Sequence, residues 1–146
     1  EAAIADRSIV RTWPLRGTLH VVAAEDVRWM IAVTGPRMLA RAATRYRQLE
    51  LTDAVVARAQ AVLADALRGA GAQPRGALMD ALAQDGFATG GQRGYHMLVY
   101  GAQTGLLVVG PQQGKEQTFA LLEIAYALQA GYVPPVTTIL TLPISR

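Results

Sequence analysis

Residues 91–123 constrain the fold most. They open on a helix-prone stretch that runs through Gln103 and is stopped by Gly105. Two short β-rich runs follow, Leu106-Leu107-Val108-Val109 and Gln117-Thr118-Phe119-Ala120-Leu121. Between them lies Gly110-Pro111-Gln112-Gln113-Gly114-Lys115-Glu116, whose glycines and proline mark a turn. The stretch therefore reads as one helix running directly into a β-hairpin.

The preceding residues supply the helices that such a unit needs. Thr52 can cap a helix, and Leu51 can pack on Val56 as a hydrophobic staple. Val55, Val56, Ala59, Val62, Leu63, Ala66 and Leu67 then form the best amphipathic stripe in the chain. Gly69 to Pro74 ends that helix. A short helix follows over about Arg75 to Gln84, with Leu78 and Leu82 inward, and Asp85-Gly86 closes it. Thr89 offers a cap for the next. From Leu51 the order is helix, helix, helix, strand, turn, strand, which is a complete winged helix-turn-helix over 51–123. In that unit the last helix enters the DNA major groove and the hairpin touches the flanking backbone.

Residues 1–50 read as the C-terminal part of a first winged-helix module plus connecting helices. Glu1 to Asp6 looks like the end of a helix. Ser8–Trp13 and Thr18–Val22 make a hairpin around Pro14-Leu15-Arg16-Gly17. Glu25 and Asp26 suit the first turn of a helix whose buried face is Val27, Met30 and Ile31. Gly35-Pro36 is expected to break this helix and start another, in which Met38, Leu39, Ala42, Tyr46 and Leu49 recur at helical spacing. Residues 124–146 form an atypical tail: a helical stub over 124–130, then a β-prone apolar run from Val136 to Leu142. The expected class is mainly α with small β-hairpins (α+β), a tandem winged helix whose first module is incomplete.

Charge narrows the partner. Residues 1–50 hold eight Arg against five acids, whereas residues 51–146 hold six basic and six acidic groups. The positive field therefore lies in the first third and suits a polyanion. Without Cys there is no disulfide framework and no thiolate metal site, which is compatible with a reducing cytoplasm. Two His and no HExxH argue against zinc, and no cofactor is expected. The apolar runs fall short of the roughly 20 residues a membrane helix needs.

Candidate DNA contacts fall in three groups. Arg37, Arg41 and Arg45 lie at i, i+4 and i+8, away from the apolar stripe, and read as a solvated face or a phosphate-contacting ridge. On the 91–104 helix, Tyr95, Leu98, Val99 and Ala102 are expected in the core. Arg93, His96, Met97 and Tyr100 then point outward. Arg93, His96 and Tyr100 can bond base edges or phosphates, or His96 and Tyr100 can pack on the neighbouring hairpin. Gln112, Gln113 and Lys115 are placed for backbone contacts at the hairpin tip, or simply form a polar turn. His20 lacks an acid or nucleophile beside it and reads as structural; Trp13 reads as core. No carboxylate pair, phosphate loop or GxGxxG is present.

Two stretches resemble a known family. Ile9-Val10-Arg11-Thr12-Trp13-Pro14-Leu15-Arg16-Gly17-Thr18-Leu19-His20, continued by Ala24-Glu25-Asp26-Val27-Arg28-Trp29-Met30, is similar to the bacterial winged-helix DNA glycosylases of the AlkZ/YcaQ type. So is Gly91-Gln92-Arg93-Gly94-Tyr95-His96 with Gln103-Thr104-Gly105-Leu106 and Gly114-Lys115-Glu116-Gln117-Thr118-Phe119. The resemblance covers residues 1 to about 123. It implies tandem winged helices and a protein that excises alkylated bases and unhooks interstrand crosslinks without a metal. The family's catalytic Gln-x-Gln or Gln-x-Asp motif precedes the RTWPLRGTLH segment, so no catalytic residue carries over. The chain is expected to be a fragment that binds double-stranded DNA, with flanking domains or self-association as further partners. The alternative is a non-catalytic winged-helix protein acting in transcription regulation or protein interaction.

Overall fold

The computed structural model of the chain describes residues 8–15 and 18–123. The expected helix end at 1–6, the hairpin turn residues 16–17, and the stub and apolar run within 124–146 lie outside them.

Among the described residues, five strands and four helices follow in the order β1 (Ile9–Leu15), β2 (Thr18–Ala23), α1 (Val27–Gln48), α2 (Asp53–Arg68), β3 (Gln73–Pro74), α3 (Arg75–Gln84), α4 (Arg93–Gln103), β4 (Leu107–Val109) and β5 (Thr118–Leu121). The fold is α+β, and its second part has winged-helix order. The strands form one antiparallel sheet in the order β2-β1-β4-β5-β3. The two hairpins read from the sequence are thus joined edge to edge, through Arg11 opposite Val109.

Strand alternation gives this sheet two apolar faces. Leu107, Val109, Phe119, Leu121 and Trp13 join the core made with α2, α3 and α4. Val10, Val22 and Val108 join Ala24, Val27, Ile31 and Leu122 in a second cluster, which α1 covers with its first two turns. Trp13 is buried and stacks on Phe119 at 6.3 Å, in agreement with its reading as core.

Several boundaries agree with local chemistry. The Thr52 hydroxyl accepts from Val55 N at 3.3 Å, and both staple residues, Leu51 and Val56, are buried. Leu78 and Leu82 are fully buried on α3, and Gly86 turns the chain with φ +86°.

Other boundaries correct the sequence reading. Gly35-Pro36 does not break the helix; α1 runs unbroken through Pro36. Proline forfeits one backbone hydrogen bond, but Pro36 and Ala32 are exposed, so water can serve the freed carbonyl. Gly35 has another use. A Cβ there would collide with the Gln103 carbonyl oxygen, so Gly35 sets how closely α1 crosses α4. Glu25 and Asp26 precede α1 rather than occupying its first turn, and Asp26 Oδ1 instead accepts from Trp29 Nε1 at 2.7 Å. The expected loop before Pro74 contains β3, which pairs with β5 through Gln73–Phe119 and Pro74–Thr118. Thr89 does not cap α4. The cap is Gln92, held at φ +72°, where a non-glycine residue is uncommon.

Candidate nucleic-acid interface

Helix α4 is the third helix of the 51–123 unit; Leu98, Val99 and Ala102 are buried as expected, and two other residues lie on faces that differ from the expected ones. Gly94, Met97, Leu98, Gly101 and Ala102 are its core stripe. Met97 is fully buried rather than outward, whereas Tyr95 is 38 % exposed rather than core. The glycines explain the rotation. A Cβ on Gly94 would strike Met79 Sδ, and one on Gly101 would strike Gln60 Oε1 and Leu107. The tightest face of α4 is therefore marked by its smallest residues, Gly94 and Gly101, one heptad apart. Reading the large residues alone misses this signal.

The stripe of Arg93, His96 and Tyr100 does not face open solvent. The Tyr46 ring of α1 meets His96 edge-on at 5.5 Å and Tyr100 at 5.9 Å. Tyr46 Oη donates to the His96 carbonyl at 3.4 Å. His96 and Tyr100 thus pack on a helix, not on the hairpin that the packing alternative named. Arg93 is a clasp: its Nε donates to the Ala88 carbonyl at 3.1 Å and its Nη1 to the Leu49 carbonyl. Leu49 caps the C-terminus of α1, where a cation meets the negative end of the dipole. Arg45 completes the clasp by donating to Gln92 Oε1 at 2.8 Å.

Burial sets the titration behaviour of this contact. The Tyr46 hydroxyl is pushed up to about 12, first by burial and then by Tyr100 and Tyr95. Tyr100 is also raised, by burial and then by Asp53. His96 is lowered, first by burial and then by the Arg45 guanidinium. The imidazole is neutral near pH 7.

Beside this contact α1 and α4 leave an open cleft of about 530 Å³, lined by Met38, Arg41, Ala42, Tyr46, Tyr95, His96, Val99 and Gln103. The sequence reading named only Arg41 and His96 among these as candidate contacts. Arg37, Arg41 and Arg45 are all exposed on α1. Among the described residues, Arg37 and Arg41 have no carboxylate partner, while Arg58 and Arg68 are paired with Asp85 and Asp65. From Val27 to Gln48 the helix carries Arg28, Arg37, Arg41, Arg45 and Arg47 and no acid.

Gln112, Gln113 and Lys115 are exposed on the turn between β4 and β5. The backbone amides of Gln113 and Glu116 each donate to the other's carbonyl, at 3.1 and 3.0 Å, around Gly114 with φ +61°. The backbone of the tip is thereby fixed, and its side chains project into solvent. Among the described residues, no group of three or more His, Asp or Glu could hold a metal, and no helix is long and apolar enough to cross a membrane.

A family model for AlkZ-like DNA glycosylases matches residues 1–138. The chain belongs to the AlkZ-like DNA glycosylase family. The matched span passes Glu123, where the motif resemblance ended, and reaches Thr138. Among solved structures, the chain is similar to the Streptomyces sahachiroi DNA glycosylase AlkZ, with TM-score 0.74 and 23 % identity, over 91 % of this chain and 37 % of that one. The chain thus spans little more than a third of that AlkZ, and the likeness establishes the fold. No curated protein matches it.

Proposed function

We propose that this chain binds double-stranded DNA as part of a DNA glycosylase that excises alkylated bases and unhooks interstrand crosslinks. Membership of the AlkZ-like family supports the glycosylase reading. The observation that carries DNA binding is the α1 surface: a 22-residue helix with five Arg, no acid, and Arg37 and Arg41 without a carboxylate partner among the described residues. Such a ridge neutralises phosphates. Arg37, Arg41 and Arg45 supply the contacts, with Gln112, Gln113 and Lys115 on the flanking backbone. His96 faces the DNA across the cleft, while Arg93 and Tyr100 act by holding α4 against α1. Residues 1–50 belong to a first winged-helix module and residues 51–123 to a second, and the protein works in the cytoplasm. No residue here is assigned to bond cleavage.

Fluorescence anisotropy with a labelled duplex tests this reading. Binding should be clear at 50 mM salt and fall by an order of magnitude or more at 200 mM. Binding that ignores salt, or no binding at low salt, refutes it.

A protein-interaction role is the second reading. It rests on Leu19 and Val21, 44 % and 62 % exposed on edge strand β2, and on Trp29 and Val33, 57 % and 61 % exposed on α1. Self-association that Val21→Lys abolishes, in a protein that does not bind DNA, favours that reading.

A further inference from the structure

The sheet has two edges, and they are built differently. Among the described residues the strands run β2-β1-β4-β5-β3. At one edge β3 is two residues long and ends in Pro74, which has no backbone N–H to offer. At the other, β2 runs six residues, Thr18–Ala23, with no charged residue and no proline. Charge and proline are the devices that keep an open edge from pairing with another chain, and β2 has neither. Its exposed side chains are apolar instead. Val22 is buried beneath α1, so Leu19 and Val21 lie by alternation on the opposite face, 44 % and 62 % exposed. The backbone follows the same alternation. Ala24 N donates to the Ser8 carbonyl at 3.1 Å, so Ser8–Ala24 is a hydrogen-bonded pair. Along the register Val10–Val22 and Thr12–His20 are then hydrogen-bonded pairs as well, and Arg11–Val21 is not. The N–H and C=O groups of Val21, and by the same alternation those of Leu19, therefore point away from β1 to the open side. The next carbonyl on that side, Ala23, is taken by Asp26 N at 3.0 Å.

Leu19 and Val21 form a self-complementary set. A second β2 can lie beside the first in the antiparallel sense, about a twofold axis through His20. Leu19 then falls opposite the partner's Val21, and Val21 opposite the partner's Leu19. Each pair exchanges both N–H···O bonds, so the open groups of one copy are the ones the other needs. The axis stands perpendicular to the sheet, which keeps the exposed apolar side chains on one face as cross-strand neighbours. A strand without charge meets its own copy with no like-charge repulsion. We propose that β2 is an interaction edge for a second copy of this chain, joined by antiparallel β2–β2 pairing about His20. The inference deepens the protein-interaction reading, on which it rests for this surface, and leaves duplex binding untouched. It also divides that surface: α1 turns Val27 and Ile31 to the sheet, and Val33, exposed on the same helix, takes no part in the pairing. A single short strand pair sits at the weak end of interface sizes, below the roughly 1,200 Å² of a stable complex.

Sedimentation velocity of the full chain from about 5 to about 500 µM, a range suited to a weak interface, tests the pairing. The weight-average mass should rise from monomer toward dimer. Val21→Lys, which puts a charge on the open edge, should move that rise to at least about tenfold higher concentration. Val33→Lys should leave it in place. Oxidation reads the register, because the chain has no cysteine of its own. About an axis through His20 the two copies of that position form a non-hydrogen-bonded pair with Cα atoms about 4.5 Å apart, within disulfide range. His20→Cys should therefore cross-link into a covalent dimer at least about tenfold faster than Val21→Cys, whose copies are offset along the strand beyond that range. A monomer at every concentration overturns the inference, and so does equal cross-linking of the two variants. Association that Val33→Lys abolishes and Val21→Lys does not also overturns it, while leaving the protein-interaction reading standing on α1.

Discussion

Helix α4 has two sides built on opposite terms. Toward α2, α3 and the sheet, Gly94, Met97, Leu98, Gly101 and Ala102 pack so closely that added methyl groups at the glycines would strike neighbours. Toward α1, the same helix meets Tyr46 edge-on, leaves an open cleft, and keeps His96 Nδ1 and Gln103 Oε1 unpaired. The first side is mostly apolar atoms in contact, and its polar exception is Gln60 of α2, whose Nε2 donates to the Met97 carbonyl at 2.9 Å while its Oε1 is unpaired. The second retains polar groups that a core optimised for stability would replace. Close packing and open, partly polar contact are thus divided across one helix, about one turn apart.

Truncations on the two sides should separate them most. Leu98→Ala, in the core, should cost about 2–5 kcal/mol because it leaves a cavity. Val99→Ala lines a space that is already open, so it should cost only about 1–1.5 kcal/mol, the transfer term alone. Chemical denaturation of both variants measures the difference. Equal losses would break the comparison.

The glycines sharpen it next. Alanine normally stabilises a helix interior by roughly 0.5–1 kcal/mol over glycine. Gly101→Ala should instead destabilise by about 1–3 kcal/mol, because its Cβ meets Gln60 and Leu107. Gly35→Ala should also lose stability, since its Cβ meets the backbone of α4, which cannot rotate away. A gain in thermal midpoint for either variant would contradict the close approach.

Much of this fold was legible in the sequence. Turn residues and apolar periodicity located both hairpins, and they delimited α3 at Arg75 and Gln84. Three features were not legible, for physical reasons. Pro36 looked like a break because a single sequence does not reveal that its face of α1 is solvated. β3 is two residues long and exists only through its pairing with β5, a long-range contact with no local signature. On α4 the apolar pattern places Leu98, Val99 and Ala102 correctly in the core but exchanges Tyr95 and Met97, because volume as well as hydrophobicity decides which side can approach another element. The candidate site suffered from the same limit. Spacing places Arg37, Arg41 and Arg45 on an exposed face of α1, whereas Gln103, Tyr46 and Tyr95 become a lining only when α1 crosses α4.

The α1 side should also respond to pH, with smaller effects. His96 sits below its ordinary value of about 6.5, so the unfolded chain binds a proton that the folded chain resists. The contribution is intact above that value and is lost as pH falls from it toward the lowered folded value. Tyr46 gives the mirror case: from about pH 10 to about 12 the unfolded hydroxyl ionises first, so stability declines with rising pH. Thermal midpoints across pH should lose the acid-side slope in His96→Gln and the alkaline slope in Tyr46→Phe. Slopes that persist in both variants would show that this contact is not what titrates.

The most direct test concerns the α1 ridge. The salt dependence of duplex binding should be compared for the unmodified chain, the Arg37→Gln/Arg41→Gln double variant, and an Arg58→Gln/Arg68→Gln control drawn from the ion-paired arginines. Each phosphate contact contributes close to one unit of slope in log K against log salt, so the ridge variant should be shallower by about 2. The control should keep the slope of the unmodified chain. An unchanged slope in the ridge variant, or an equal loss in the control, would contradict the assignment of phosphate binding to α1.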